Sequence, residues 1–190
     1  MQCNTDKNAI RAFMKEKRKS LIKHDIESKS RAICTAFTAL EAFNGAKSVA
    51  VYMSAFNEVD TGQIIAECIK QKKDIAVPVV EGKDIYLCKY SQDLVSGAFK
   101  IREPLEKIKV DEKNIDLFAV PALAFDKKGG RVGFGKGYYD KLLSGTGGIK
   151  VGLLYDFQLT EDLPVEEHDI LMDYLITEKQ LIECKLSERL

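Results

Sequence analysis

Apolar residues recur along the first part of the chain at the spacing of helices. Residues 6–21 form one such segment, because their apolar positions fall on one side of an α-helix. A second helix is predicted over residues 25–43 and ends at Asn44-Gly45, since glycine commonly follows the last helical residue. Residues 61–71 repeat the same pattern and predict a third helix.

Short apolar runs predict the buried strands of a largely parallel sheet. These runs lie at residues 49–53, 75–80, 84–90, 117–124, 149–154 and 174–177, the last strand that we expect. Pro78 is expected to interrupt the second strand, and residues 99–104 are expected to form a loop. Because a helix separates the first two strands, they should lie parallel, joined by a right-handed crossover. Ligands of such sheets bind beyond the carboxyl ends of the strands, where we expect Glu58.

Composition and charge narrow the classes of function. The chain has 190 residues, 45% of them hydrophobic and 31% charged, and we expect one domain over residues 1–190. Lys plus Arg and Asp plus Glu number 29 each, so no net field draws the protein to nucleic acid or to an anionic membrane. No apolar run has the length of a membrane span, and no signal-peptide core is present. The five cysteines lack zinc-ligand spacing, which favours reduced thiols and a cytoplasmic location.

The densest group of candidate functional residues is a glycine-rich loop between a predicted strand and a predicted helix. Five glycines fall between Gly129 and Gly137, interleaved with Arg131 and Lys136, and Tyr138 begins the helix. Glycines let the backbone approach an anion closely, and a helix N-terminus presents N–H donors. The combination predicts a polyphosphate site, although glycine clusters also serve as simple turns.

The loop matches neither of two familiar nucleotide-binding patterns. Gly137 replaces the Ser or Thr that would hold Mg²⁺ in a Walker A loop. The dinucleotide fingerprint fails as well, because Gly133 and Gly135 are followed by Gly137 and not by a glycine at position 138. A nucleotide loop of another family is therefore the better interpretation.

The first predicted helix carries a basic stripe. Lys7 and Arg11, one turn apart, would clamp phosphate if this helix lies over the glycine loop. For Lys15 and Arg18 we expect a solvated surface. His168 has acidic neighbours that fit a metal site, but single histidines are more often structural or exposed.

Four stretches of the chain resemble the 5-formyltetrahydrofolate cyclo-ligase family, and they occur in the family's order. They are residues 7–11 (KNAIR), 53–61 (MSAFNEVDT), 125–140 (FDKKGGRVGFGKGYYD) and 164–169 (PVEEHD). The third stretch is highly specific, with the departure that Phe134 stands where some members carry arginine. The resemblance implies a three-layer α/β/α fold with a largely parallel, Rossmann-like sheet. It also implies ATP-dependent conversion of 5-formyltetrahydrofolate to 5,10-methenyltetrahydrofolate, with release of ADP and phosphate.

The resemblance further implies a role for each matching residue. ATP would contact Lys7, Asn8, Ala9, Ile10, Arg11, Arg131, Val132, Gly133, Phe134, Gly135, Lys136, Gly137, Tyr138 and Tyr139. The reduced folate would contact Met53, Glu58, Phe134, Gly135, Lys136, Gly137 and Tyr138. Asp140 and Asp169 would hold Mg²⁺, and Lys136 and Arg131 would be catalytic.

Two other classes of function stay open on the residues alone. A sugar-phosphate isomerase of similar layered architecture would use the loop for one phosphate and no nucleotide. A nucleic-acid or regulatory module would use the basic first helix, although the zero net charge counts against it. With the family reading, the expected partner is a small-molecule folate, without nucleic acid or membrane, and the protein is expected to be a monomer.

Overall fold

The computed structural model describes residues 6–164, 166 and 169–184. Over these residues the helices are α1 (Lys7–Lys19), α2 (Lys23–Thr38), α3 (Glu41–Gly45), α4 (Gly62–Lys70) and α5 (Tyr138–Leu143). The first seven strands are β1 (Ser48–Ala50), β2 (Asp74–Glu81), β3 (Asp84–Lys89), β4 (Leu94–Ser96), β5 (Arg102–Pro104), β6 (Lys109–Val110) and β7 (Leu117–Val120). The others are β8 (Ala124–Asp126), β9 (Arg131–Val132), β10 (Ile149–Leu153), β11 (Leu159–Thr160), β12 (Tyr174–Ile176) and β13 (Leu181–Glu183).

A mixed sheet, eight-stranded over the described residues, forms the centre of the fold in the order β13-β12-β10-β7-β1-β2-β3-β6. The inner strands from β12 to β2 are all parallel, while β13, β3 and β6 pair antiparallel at the two edges. The predicted parallel pair, β1 and β2 joined through α4, is confirmed, with Val49 opposite Ile75. The carboxyl ends of β1, β2 and β7 therefore meet at one edge of the sheet.

The inner strands bury side chains on both faces of this sheet. One face packs beneath α2, α3 and α4 and includes Val49, Val51, Leu117, Ala119, Val151 and Leu153. The other face packs with α5 and includes Ala50, Phe118, Val120, Leu154 and Leu175. The expected α/β class with a largely parallel sheet is thus confirmed. No helix among the described residues is long and apolar enough to cross a membrane.

Helix α1 lies apart from the large sheet and covers the glycine-rich segment. Asp6 caps its N-terminus by accepting a hydrogen bond from the Asn8 backbone N–H at 3.0 Å. Ile10 and Met14 on its apolar side pack with Leu123, Ala124 and Val132, which belong to or adjoin the small sheet β11-β8-β9. The basic stripe of α1 is therefore held beside the residues that follow β9.

Two predicted elements are wrong because buried apolar residues continue across a break. The helix over residues 25–43 is two helices, since α2 ends at Thr38 and the backbone of Leu40 is extended before α3. Leu40 is buried, so the apolar spacing hides the turn. The apolar run over residues 117–124 is likewise two strands in different sheets. Pro121 separates β7 from β8, and its missing N–H cannot extend the ladder.

Three further predictions about strands are corrected. Pro78 does not interrupt β2, because β1 pairs only as far as Ala76 and the proline N lies beyond that ladder. The predicted loop over residues 99–104 contains β5, which pairs with β4 in a hairpin. The strand at residues 174–177 is not the last one, because β13 follows it and pairs antiparallel with β12. With three residues, β13 is too short to show an alternation of apolar and polar positions.

Candidate functional site

A cavity of about 740 Å³ opens at the carboxyl ends of β1, β2 and β7. Most residues predicted to bind ligands line it, namely Lys7, Arg11, Met53, Glu58, Arg131, Val132, Gly133, Phe134, Gly135, Lys136, Gly137, Tyr138, Tyr139, Asp140 and Asp169. Among the described residues, Asn8, Ala9 and Ile10 are predicted contacts outside the lining. The side chain of Ile10 is buried beneath α1, while Asn8 and Ala9 are exposed.

The glycine-rich segment divides into a structural turn and a cavity wall. Asp126 is fully buried, and its Oδ1 accepts hydrogen bonds from the backbone N–H groups of Lys128 and Gly130 in the turn between β8 and β9. Gly129 has φ +89°, and a Cβ there would lie 2.5 Å from the carbonyl oxygen of Met172. The first two glycines therefore build the hairpin, and the stretch from Arg131 onwards lines the cavity.

Arg11 crosses the cavity-facing stretch at close range. Its Nε donates to the carbonyl oxygen of Gly133 at 3.0 Å, and its Nη1 donates to Asn8 Oδ1 at 2.7 Å. Gly135 has φ +94°, and a Cβ there would lie 3.3 Å from Arg11 Cζ. Glycine at 135 thus permits both this backbone conformation and the approach of the guanidinium group.

Arg131 is a buried cation in the wall of the cavity. Its side chain forms an ion pair with Asp140, and its guanidinium Cζ lies 5.8 Å from the ring centroid of Tyr139. Burial lowers the pKa of Arg131, and the charge of Asp140 opposes that shift. Arg131 Nε is buried and has no hydrogen-bond partner among the described residues. A buried donor without an acceptor is costly, so the Arg131 side chain would be stabilised by turning this N–H towards a ligand oxygen.

The two aspartates predicted to hold Mg²⁺ each contact a cation. Asp140 pairs with Arg131, while Asp169 Oδ2 lies 3.2 Å from Lys7 Nζ, which also contacts Glu166 Oε1 at 2.8 Å. Burial lowers the pKa of Lys7, but the contacts with Glu166 and Asp169 outweigh it and the pKa is raised.

Asp140 and Asp169 fit Mg²⁺ only if phosphate oxygens and water supply the rest of its ligands. The described residues contain no group of three or more His, Cys, Asp or Glu side chains that could hold a metal alone. Mg²⁺ typically takes one or two carboxylates and completes its shell with substrate phosphates and water. Asp140 and Asp169 line the same cavity and supply the hard oxygen donors that such a site needs. The pair therefore fits a metal that arrives together with a polyphosphate.

Lys136 is an exposed cation on the aromatic side of the cavity. Its Nζ lies 4.4 Å from the ring centroid of Phe99 and 5.8 Å from that of Tyr138. The Tyr138 hydroxyl reaches the carbonyl oxygen of Gly82 at 3.4 Å, which ties α5 to the turn between β2 and β3. The Lys136 ammonium group thus lies near two aromatic rings that line the same cavity.

Glu58 is a buried carboxylate in the loop after β1. Its Oε2 accepts a hydrogen bond from the Ala55 backbone N–H at 3.1 Å, and its Oε1 lies 3.7 Å from Arg18 Nη1. Burial raises the pKa of Glu58, and both Arg18 and the Ala55 N–H oppose that shift. Oε1 accepts no hydrogen bond from the residues that the structure describes, so it retains capacity for a ligand donor.

The expectation that Arg18 is solvated is wrong. Arg18 is 2% exposed and lines the cavity. Lys15 on the same stripe is exposed, as expected, but it also borders the cavity, with its Nζ 5.5 Å from the ring centroid of Phe134. The basic stripe of α1 is visible in the sequence, but its spacing does not show which of its side chains are buried against another part of the fold. Other lining residues outside the predicted ligand contacts are Lys19, Tyr52, Phe56, Asn57, Pro78, Val80, Ile85, Phe99, Ile101, Pro121 and Glu166.

Two groups noted in the sequence remain, His168 and the cysteines. His168 lies outside the described residues. Cys34 and Cys68 are buried, and burial raises the pKa of these thiols to about 12 and about 11. Such thiols are protonated at neutral pH and are poor nucleophiles.

Comparisons with known proteins agree on one family. The model of the 5-formyltetrahydrofolate cyclo-ligase family matches residues 3–178. A probable 5-formyltetrahydrofolate cyclo-ligase of Schizosaccharomyces pombe is 29% identical, over 93% of this chain and 97% of the relative. The solved 5,10-methenyltetrahydrofolate synthetase of Aquifex aeolicus has a TM-score of 0.84 and 38% identity, covering 94% of this chain and 93% of that one. Its Mycoplasma pneumoniae counterpart has a TM-score of 0.77 and 26% identity, covering 92% and 99%. The chain therefore belongs to the 5-formyltetrahydrofolate cyclo-ligase family.

Proposed function

We propose that the protein converts 5-formyltetrahydrofolate and ATP into 5,10-methenyltetrahydrofolate, ADP and phosphate. Family membership supports this reaction. The observation that carries it is one cavity in which a cationic wall, with Lys7, Arg11 and Arg131, adjoins an aromatic wall that bears the buried carboxylate of Glu58. The cationic wall suits the negative charge of a triphosphate. The aromatic wall with its carboxylate suits a pterin ring, which is flat and bears several N–H groups.

The same cavity disfavours the two other classes of function. A sugar-phosphate isomerase needs one phosphate site, and its polar sugar substrate does not require several aromatic side chains around that site. A nucleic-acid module would display its basic helix on an open surface, whereas Lys7, Arg11 and Arg18 of α1 line a cavity.

On the ATP side, Lys7, Arg11 and Arg131 would neutralise the phosphate charge. The unpartnered Nε of Arg131 and the backbone N–H groups near Gly135 would donate to phosphate oxygens. Asp140 and Asp169 would hold Mg²⁺, which when bound supplies further neutralisation of phosphate charge. Arg131 and Lys7, now paired with these carboxylates, would then be available to the phosphates.

On the folate side, Glu58 Oε1 would accept hydrogen bonds from pterin N–H groups. An ionised acceptor makes such bonds shorter and roughly twice as strong as neutral pairs. Met53, Phe134 and Tyr138 line the adjoining surface and would cover the ring faces. Together these contacts would hold the formyl group towards the phosphates.

We propose that the chemistry follows from this placement. A formyl amide carbon is a poor electrophile, so its oxygen first attacks the γ-phosphorus of ATP and ADP leaves. N10 then attacks the activated carbon, loses its proton and closes the ring as the oxygen departs with phosphate. Lys136 would meet the charge of the transferring phosphoryl group, because phosphoryl transfer depends mainly on positioning and charge neutralisation.

Calorimetric titrations test this function against its rivals. The protein is expected to bind Mg²⁺-ATP and 5-formyltetrahydrofolate, each at one site, and to show no heat with a sugar phosphate or a short DNA duplex. Binding of a sugar phosphate without ATP, or of the duplex without either ligand, would contradict the proposal. We further propose that the protein is one domain and works as a monomer in the cytoplasm. Light scattering after gel filtration tests the monomer, and cell fractionation tests the location.

A further inference from the structure

Arg18 joins α1 to the loop that carries Glu58. Its Nε and Nη2 both donate to the carbonyl oxygen of Phe56, at 3.1 and 2.6 Å, and its Nη1 reaches the carbonyl oxygen of Ala122 at 3.5 Å. In return, the side-chain amide of Asn57 donates to the backbone carbonyl of Arg18 at 2.9 Å. The forked guanidinium is therefore hydrogen-bonded to the loop two residues before Glu58.

The loop needs such a restraint because of its backbone conformation. Phe56 and Asn57 have φ values of +52° and +57°, in the left-handed region that residues other than glycine rarely adopt. Conformations of this kind persist when surrounding contacts enforce them. The two contacts with Arg18 act on these same two residues.

Phe134 covers the remaining side of the guanidinium group. Its ring centroid lies 5.5 Å from Arg18 Cζ and 6.2 Å from the ring centroid of Phe56. A ring face attracts a cation and keeps water away from it, and a drier surrounding strengthens the charge that Arg18 presents to Glu58.

We propose that Arg18 is a positioning residue for 5-formyltetrahydrofolate, which holds the loop before Glu58 and keeps the Glu58 carboxylate ionised where it faces the substrate. This inference rests on the proposed function, since it assigns Glu58 to the pterin. Arg18 acts through Glu58 and through the Phe56 carbonyl, without a role in phosphoryl transfer.

The charges around Glu58 define what removal of Arg18 would do. Among the described residues, the titratable groups next to it are Arg18 from α1, Tyr52 after β1, Tyr139 from α5 and Tyr155 after β10, whose hydroxyl donates to the Glu58 carbonyl oxygen at 2.9 Å. Burial raises the pKa of all three tyrosines, so they are neutral hydroxyls at physiological pH. Arg18 therefore supplies the compensating positive charge, and without it the pKa of Glu58 rises further. Because a carboxylate is ionised above its pKa, Glu58 would then become neutral at a higher pH.

Two variants separate the charge of Arg18 from its forked hydrogen bonds. Arg18→Gln removes the charge and keeps an N–H donor for the Phe56 carbonyl, whereas Arg18→Lys keeps the charge and loses the fork. Arg31→Gln, at an exposed arginine of α2, is the matched control. Carbon NMR of the side-chain carboxylates, with Glu58 assigned by its absence in Glu58→Gln, follows the titration of Glu58 in ligand-free protein.

We expect the Glu58 midpoint to move up by about one pH unit or more in Arg18→Gln. It should stay near the wild-type value in Arg18→Lys and in Arg31→Gln. Folate binding at neutral pH should weaken about tenfold or more in Arg18→Gln, with ATP binding nearly unchanged. In Arg18→Lys, folate should bind more weakly because the loop is loosened, while the midpoint of the Glu58 titration stays unchanged. An unchanged midpoint in folded Arg18→Gln, with wild type binding folate, would overturn the role of Arg18.

A further variant keeps the test decisive if Arg18→Gln does not fold. Arg18→Gln combined with Glu58→Gln removes both charges, and we expect its loss of folate affinity to be no larger than the loss in Glu58→Gln plus the loss that the loosened loop causes in Arg18→Lys. A further tenfold loss beyond that sum would show that Arg18 acts on the folate by a route other than Glu58 and the loop. Absence of folate binding by the wild-type protein would instead refute the proposed function, independently of the carboxylate titration.

Discussion

Replacing Gly135 with alanine tests how closely the basic helix and the glycine-rich segment cooperate in binding ATP. Gly135 has φ +94°, which L-residues rarely adopt, and the new Cβ would lie 3.3 Å from Arg11 Cζ. The segment must then either accept the strain or move, and movement shifts the carbonyl of Gly133 that Arg11 Nε now contacts at 3.0 Å. Retained strain is expected to lower the stability of the protein, and movement is expected to weaken ATP binding.

The magnitude follows from the backbone first and from the contact second. A non-glycine residue held in this region costs roughly 1–2 kcal/mol. In a chain of this size that cost lowers the melting temperature by roughly 2–8 °C if the strain is retained. If the strain is relieved by movement, the same free energy appears as loss of ATP affinity, at about 1.4 kcal/mol for each tenfold change. We therefore expect a combined loss of roughly 1–2 kcal/mol, divided between stability and ATP binding.

Thermal unfolding and ATP calorimetry without folate measure the two parts. Gly147→Ala is the matched control, because a Cβ at Gly147 meets no atom within 4 Å and its φ lies outside the left-handed region. We expect Gly147→Ala to resemble wild type in both measurements. If Gly135→Ala also matched wild type in both, the close approach of Arg11 to this segment would not matter for ATP.

Three other substitutions address the remaining roles. Lys136→Ala should lower turnover by about 10²–10³-fold with the fold intact, since it removes a charge that would meet the phosphoryl group; near-normal turnover would remove Lys136 from the mechanism. Asp140→Asn should raise the Mg²⁺ concentration needed for half-maximal activity and also leave Arg131 without its carboxylate, whereas an unchanged Mg²⁺ dependence would limit Asp140 to holding Arg131. Glu58→Gln should weaken folate binding by about one to two orders of magnitude and leave ATP binding nearly unchanged. In wild type, folate binding should weaken as the pH falls through the Glu58 pKa, which burial raises, and Glu58→Gln should abolish this dependence. Glu16→Gln, on the exposed side of α1, should retain it.

The sequence predicted those parts of the fold that depend on local periodicity. The inner strands β1, β2, β10 and β12 and the helices α1 and α4 follow from apolar spacing, as does the parallel pair joined by α4. Apolar spacing did not predict the breaks at which the chain changes direction while its residues stay buried. Pro121 was the available signal for the break between β7 and β8, because a proline cannot extend a central ladder.

The candidate site was predicted by motif, and its internal contacts were not. Residues of the glycine-rich segment were recognisable as a group, but only the fold separates Gly129, which packs against Met172, from Gly135, which packs against Arg11. Arg18 shows the same limit. Its position on the stripe with Arg11 was evident, yet its burial depends on the Phe56 carbonyl, which the chain brings to it from a distant loop.

The most direct test of the proposed activity is turnover by the purified wild-type protein. Mixing it with Mg²⁺, ATP and 5-formyltetrahydrofolate should produce the absorbance of 5,10-methenyltetrahydrofolate, with one ADP released for each product molecule. Omission of ATP should abolish the signal. Lack of methenyl product while both ligands bind, or product formation without ATP consumption, would contradict the account.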